Sequence, residues 1–346
     1  MSGTVKYLAV GAFVAAAALA PVSAQAETVR IANWVPSVHH MTNTLAEWAA
    51  SAEKASGGKL TLTVDKTALA KPPGQYDLAV NGIRDIAWGV PAYTPGRFVA
   101  LRLWEIPFLS PSAVVGSQAA WMWYEKNGLI EKEFADTHLL TVWVHGPGIL
   151  HTKKRIATLE DLKGVKLRVG GGGIFLAKQL GAVPVAMPAT KAHESLLRGI
   201  TAGAFFPFEA IRGFRLQKLV THHLQVPGGL YTVPFFLTMH KKTFFLTMHK
   251  KKWASLGRNA QDALTAAGGR AGAKLIGKHW DEGDKIGMQI ARDNGNTIEE
   301  ITPAEFKKWS ARTDKIVVEY LAKMKKAGHD GEALLADLKA TVASIK

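Results

Sequence analysis

Two α/β units followed by a helical C-terminal third are what the pattern of this chain predicts, with sheets that are parallel because strands and helices alternate. Three observations carry the prediction. Short apolar runs alternate with stretches of helical spacing from Val29 onward, a Gly/Pro break at His145-Gly146-Pro147-Gly148 separates two such alternations, and helix formers dominate beyond about Asn259. A chain of 346 residues accommodates two domains of the usual ~100 to 200 residues.

The first 26 residues read as an export signal. Lys6 supplies the n-region charge, Tyr7 to Ala20 the apolar h-region, and Ala24-Gln25-Ala26 the small-x-small cleavage pattern, so a mature chain is expected to begin at Glu27 in the periplasm. Losing this segment removes one lysine, which leaves 42 basic and 28 acidic residues and a charge of +14 over 320 residues. No later apolar stretch reaches the ~18 residues that span a bilayer. Cysteine is absent, which excludes disulfides, thiolate chemistry and a lipidated N-terminal cysteine. The basic excess suits anionic ligands, a membrane surface or an acidic partner, or is simply a soluble surface. Nucleic acid is not expected as a partner, given export and the lack of any zinc-finger or other nucleic-acid signature.

Val29 to Trp34 and Leu60 to Val64 are predicted strands around a helix from about Thr42 to Ser56, which Gly57-Gly58 stops. A short helix near Tyr76 to Asn81, a strand Ile86 to Val90, a loop over 91–97, helices near Ser112 to Lys126 and Ile130 to Ala135, and a strand Leu139 to Val144 follow. In the second unit, roughly 149–235, Val165, Leu167 and Val169 suit a buried strand, Gly170 to Gly173 break it, and Ile174 to Leu180 resume as a helix. Asn259 to Asn294 is mostly helix-forming with a weak middle at Gly268, Gly269 and Gly272. Thr302-Pro303-Ala304-Glu305 starts the next helix with a capping box, and a last helix covers about Asp330 to Ile345. Phe235 to Thr243 and Phe244 to Lys252 form a nine-residue tandem repeat that differs only at its last position. An odd shift swaps strand faces, so one copy is expected as ordered strand and the other as a bulge, a loop or an outward extension.

Arg168 stands near the end of its strand, where open α/β sheets bind ligands. Its guanidinium cannot lose its charge, so a sheltered position demands an anion, either a ligand carboxylate or phosphate or an acid of the chain itself. The glycines after it lack the spacing of a phosphate loop, and carboxylate is favoured over phosphate. Trp34, Trp88, Tyr93, Phe205, Phe206 and Phe208 lie near predicted strand ends and jointly suggest an apolar cleft wall around one cation. Gln75, behind the stiff Lys71-Pro72-Pro73-Gly74, reads equally as a ligand group and as a helix cap. His39 or His40 reads as pocket lining and His222-His223 as a solvated turn. Adjacent side chains point apart, so neither pair is read as a metal site, and no cofactor is expected. Glu209, just past the aromatic strand, completes the candidate set. Hydrolase signatures are missing: there is no G-x-S-x-G, and His193-Glu194 fails H-E-x-x-H because the fifth position is Leu197.

The segments NWVPSVHHMTNTLAEWAASAEKASGGKL, AKPPGQYDLAVNGIRDIAWGVPAYTPGRF, DLKGVKLRV, LGAVPVAMPATKAHESLLRGITAG and PFFLTMHKK, with KWASL beyond the repeat, occur in an order that resembles the substrate-binding proteins of tripartite ATP-independent periplasmic (TRAP) transporters. The resemblance is to the dicarboxylate-binding, DctP-like family and covers essentially the whole mature chain. It implies a two-domain periplasmic binding protein of type II-like α/β fold, with a long bridging helix and a helical C-terminus. Domain I would span 27–148 and about 236–280, and domain II 149–235 and about 281–346. It further implies a monomeric receptor, not an enzyme, that closes over an organic acid and delivers it to separate membrane subunits. The family's carboxylate-binding arginine, on the strand after D-L-K-G, matches Arg168. Two departures stand out: Ala202-Gly203 replaces the usual Asp-Gly, and Phe205-Phe206-Pro207 replaces a polar pair, which favours a less polar ligand. An exported enzyme acting on carboxylic acids and a binding-impaired sensor or interaction protein are the alternatives.

Overall fold

The structure, a computed structural model, describes residues 26–241 and 252–345. In chain order it begins with β1 (Glu27–Ile31), α1 (His40–Ala55), β2 (Leu60–Val64), α2 (Gln75–Val80), β3 (Ile86–Gly89), α3 (Ala113–Lys126), α4 (Ile130–Glu133) and β4 (Thr137–Val144). Next come β5 (Ile149–Thr152), α5 (Leu159–Leu162), β6 (Lys166–Val169), α6 (Gly173–Gln179), β7 (Val183–Ala186), α7 (Ala192–Leu197), β8 (Gly203–Phe206), α8 (Glu209–Gly213) and β9 (His222–Gln225). The chain finishes with β10 (Pro234–His240), α9 (Lys252–Ser255), α10 (Arg258–Ala267), α11 (Gly269–Asp293), β11 (Thr297–Glu300), α12 (Pro303–Lys326) and α13 (Gly331–Ser344).

These strands form two sheets, ordered β2-β1-β3-β10-β4 and β11-β9-β5-β8-β6-β7. The parallel expectation holds for β1 with β2 and β3, for β6 with β7 and β8, and for β9 with β11. It fails at β10, antiparallel to β3 and β4, and at β5, antiparallel to β8 and β9. The reason is the crossing: β4 runs into β5 through 145–148, the chain returns from β9 to β10 through 226–233, and the two passages lie antiparallel, bridged at Gly148 and Tyr231. A strand that enters a sheet from the other sheet arrives in the opposite direction.

Helix α11 packs on α1, α3 and β4 on one side and on α8 on the other, and so braces both sheets. It buries Gly272, Ile276, Trp280, Gly283, Gly287 and Ala291, a face of three- and four-residue steps. Glycine is required at 287, because a Cβ there would stand 1.9 Å from the Phe208 carbonyl oxygen. Burying Ile276 and Trp280 contributes about 1.5–3 kcal/mol each. The predicted weak middle is a full break at Gly268, between α10 and α11.

The first copy of the repeat supplies Phe235 to His240 of β10, with every residue buried. The second copy, apart from Lys252, lies outside the described residues. Trp253 stacks on His138 with ring centroids 3.6 Å apart, and His138 pairs with Met239 across the sheet. No helix among the described residues is long and apolar enough to cross a membrane.

Candidate functional site

Between the sheets lies a cavity of about 60 Å³, measured as the space open to the centre of a water molecule. One water needs only ~10–15 Å³ of such space. Arg168, Trp34, His39, Trp88, Tyr93, Phe206 and Glu209 all line it. Gln75 does not: it is buried at the start of α2, where its Nε2 donates to the Ala70 carbonyl at 2.9 Å, so it serves the fold of its own loop. Phe205 and Phe208 also belong to the packed core, and only the Phe205 carbonyl turns toward the site.

Arg168 is 3% exposed. Its guanidinium donates to the carbonyls of Met187 at 2.9 Å and Phe205 at 3.4 Å, lies 4.2 Å from the Phe206 ring centre, and leaves Nε buried without a partner. No carboxylate among the described residues pairs with it. Burial lowers its pKa, opposed by the neighbouring hydroxyls of Tyr93 and Tyr231, yet an arginine stays charged. The structural ion pair that the sequence left open is therefore not what holds it. The glycines that follow serve close approach: a Cβ on Gly171 (φ +55°) would stand 3.1 Å from Ala92, and one on Gly172 2.6 Å from the Tyr320 hydroxyl and 2.7 Å from Glu105. They let loops of the first lobe and α12 seat against the end of β6.

Trp34 and Trp88 stack at 4.5 Å, and the Trp34 indole donates to the Trp88 carbonyl. The Tyr93 hydroxyl accepts from the Ala189 amide at 3.3 Å, which links the first lobe to the loop after β7. Glu209, at the start of α8, lies 3.1 Å from His39 Nε2 and 3.7 Å from His40 Nε2, yet the angle at the first and the distance to the second leave its Oε2 and the His40 Nε2 without a hydrogen bond. Burial, and then Asp284, push the Glu209 carboxyl far above the usual range, while burial lowers His39 to about 3 and His40 well below normal. The expectation that adjacent histidines diverge is corrected here. His39 caps α1 in extended conformation while His40 opens the helix, so the rings stack at 4.7 Å and face one carboxylate. His222 and His223 are likewise not a turn but part of β9, with His223 buried against His151 and Asn296.

The cavity also has walls that the sequence reading missed: Tyr231, Phe235, Phe214, Trp280 and His145. Trp280 carried a signal in the buried spacing Ile276, Trp280, Gly283. Tyr231 and His145 lie on the two crossing passages, which sequence marks only as a break, and Phe235 lies at the start of β10 just beyond the second. Ala202, one of the departures from the family pattern, is exposed outside the cavity.

The profile of the bacterial extracellular solute-binding proteins, family 7 (DctP), matches residues 31–324. Among solved structures, the chain is 31% identical to a TRAP periplasmic solute-binding protein from Bordetella bronchiseptica with bound (R)- and (S)-mandelate, with a TM-score of 0.85 covering 92% of this chain and 100% of that one. It is 30% identical to a TRAP solute-binding protein from Rhodoferax ferrireducens in complex with copurified benzoate, at a TM-score of 0.84 covering 92% and 98%. It is 28% identical to a marine metagenome TRAP solute-binding protein specific for aromatic acid ligands, in complex with 3-hydroxybenzoate, at 0.86 covering 93% and 99%. A curated relative, the outer membrane transporter protein TsaT of Comamonas testosteroni, is 26% identical over 289 residues and 82% of each chain. The matched profile and the two-sheet fold agree, and the chain belongs to the extracellular solute-binding proteins of family 7, the solute receptors of TRAP transport.

Proposed function

We propose that this receptor captures a compact aromatic monocarboxylate in the cleft and carries it, chemically unchanged, to the membrane subunits of a TRAP transporter. The observation that carries the reading is Arg168: a buried guanidinium with a free Nε, no acidic partner among the described residues, and aromatic rings around it. A ligand carboxylate that takes its fork gains charge-assisted hydrogen bonds of ~1.5–3 kcal/mol each. Closing the cleft without that anion leaves a buried charge uncompensated, which costs several kcal/mol, so closure follows ligand. Among the described residues Arg168 is the only arginine or lysine in the lining, and Glu209 is an acid in the same lining. A second ligand carboxylate would find no second cation, only a buried carboxyl whose surroundings already disfavour negative charge, which argues against dicarboxylates. Trp34, Trp88, Phe206, Phe214 and Trp280 instead offer flat apolar walls. The similar proteins solved with mandelate, benzoate and 3-hydroxybenzoate support the same ligand class.

In this reading residues 1–26 are an export signal cleaved after Ala26, and the mature chain works as a periplasmic monomer. Two bodies, 27–148 with about 236–280 and 149–235 with about 281–346, close on each other. Titration calorimetry of the mature chain tests it. Benzoate, 3-hydroxybenzoate and mandelate are expected to bind and succinate to bind far more weakly. Preference for succinate, or a product released from any of these acids, would overturn the reading.

A further inference from the structure

We propose that His39, His40 and Glu209 form a site for a zinc-class divalent ion that ties the two lobes together at the rim of the cleft. The three ligand atoms lie within 4.8 Å of one another, with Glu209 Oε2 at 3.1 Å from His39 Nε2 and 3.7 Å from His40 Nε2. A tetrahedral zinc with bonds of about 2.0–2.2 Å holds its donors about 3.3–3.5 Å apart, so the two separations of 3.1 and 3.7 Å bracket the edge of such a tetrahedron. Nitrogen and carboxylate donors in a set of three suit zinc and its first-row neighbours rather than magnesium or calcium, and leave a fourth position for water.

Two further observations point to a ligand here. His40 Nε2 and Glu209 Oε2 are both buried and without a hydrogen-bond partner, which is costly for polar atoms unless something takes their lone pairs. Glu209 also stands near a second buried acid, Asp284, whose Oδ1 accepts from the Glu209 amide at 2.8 Å, and no lysine or arginine among the described residues pairs with either. Arg212 lies near enough to act on His40 but pairs with neither acid, so a divalent ion would supply the charge partner they lack. His40 Nδ1 lies 3.5 Å from the Thr44 hydroxyl, an outer partner of the kind that orients a metal-bound histidine. His39 Nδ1 now accepts from the Met41 amide. Coordination through Nε2 moves the ring proton to Nδ1 and releases this one capping bond, a small loss beside the binding of a structural zinc.

Access need not pass through the ligand cleft, although His39 and Glu209 also line it. On the outer side His40 and Glu209 also line a surface groove with Arg212, His279, Glu282 and Gly283. The two histidines begin α1, which packs on the first sheet, and Glu209 begins α8, which follows β8 of the second. An ion held by both lobes favours their closed arrangement, so zinc and the cleft's ligand tighten each other reciprocally.

The test uses the mature full-length chain, stripped with a chelator and titrated with zinc chloride alone, with no organic acid present. One equivalent is expected to bind with a rise in Tm, and cobalt(II) in its place should give the visible absorption of a tetrahedral site. His40→Ala and Glu209→Gln should each weaken zinc by more than the about 10- to 100-fold that losing an outer partner costs. His222→Ala, on β9 away from the cluster, should not. Arg168→Ala should keep its zinc while losing the acid, which separates this site from the proposed ligand site. No saturable zinc uptake by the folded wild type, or unchanged affinity in both cluster variants, would overturn the proposal.

Discussion

Arg168 concentrates the chemistry of the cleft in one side chain, and its substitution gives the sharpest test of the ligand reading. Two charge-assisted bonds of ~1.5–3 kcal/mol each place the loss in Arg168→Ala at about 100-fold or more in affinity. Arg168→Lys keeps a charge but not the fork, and should bind at least about tenfold more weakly than the wild type. Wild-type-like calorimetry of Arg168→Ala would remove the arginine from the site. The histidines set the response to acid. Burial lowers His39 to about 3 and His138, His145 and His223 to about 4, and moves His40 and His151 the same way. Unfolded histidine titrates near 6.5. Between about pH 6.5 and 4 the unfolded chain therefore binds protons that the fold refuses, and stability falls as pH drops through that window. Asp284, raised to about 8, and Glu209, Glu133 and Asp281, also raised, act in the opposite sense. The histidines are the larger set, so Tm should fall steadily from pH 7 to pH 4.5. A flat or rising Tm across that range would contradict the neutral buried state of these rings.

Helix α11 shows how element-scale packing overrides local propensity. Alanine for glycine inside a helix ordinarily adds up to about 1 kcal/mol. At Gly287 the new Cβ would meet the backbone of Phe208 and Glu209, which cannot step aside as a side chain end can. Gly287→Ala should therefore destabilise by about 1–3 kcal/mol in urea unfolding, and a gain in stability would show that α8 shifts freely. The elements were largely legible in the sequence where local signals decide them. Leu60–Val64 is a strand as expected, Ser112 caps α3, and Thr302 and Asp330 cap the last two helices. Even there the capping box at Thr302 is only half made, because the Glu305 carboxylate accepts from the Leu159 amide instead of closing back on its own helix. The candidate site was legible in its charge and its strand-end aromatics, since Arg168, Trp88 and Phe206 follow from strand position alone. It was not legible where distant segments meet. The convergence of His39 and His40 on Glu209 depends on a cap conformation and on α8, 169 residues away in sequence for His40. The place of Tyr231 depends on which way the chain crosses back.

On the scale of the whole molecule, two antiparallel crossings and one long helix connect the lobes. Each lobe's sheet thus contains a strand delivered from the other, so any bending at the crossings would carry Tyr231 and His145 with the cleft they line. After deletion of residues 235–243 the second copy restores the same side chains to β10, Pro234 followed by FFLTMH. We expect that deletion to change acid affinity by less than about threefold, within the few tenths of a kcal/mol typical of changes that touch no buried contact. A calorimetric loss of binding would make the extra residues part of the site.

The stack of Trp253 on His138 carries a practical consequence. His138 sits across the sheet from Met239, so Trp253 on α9 lies beside the end of β10. Two described segment ends so close together make a natural port: a fluorescent domain or an affinity handle spliced between Lys241 and Lys252 would report on the cleft from outside while β10 stays whole.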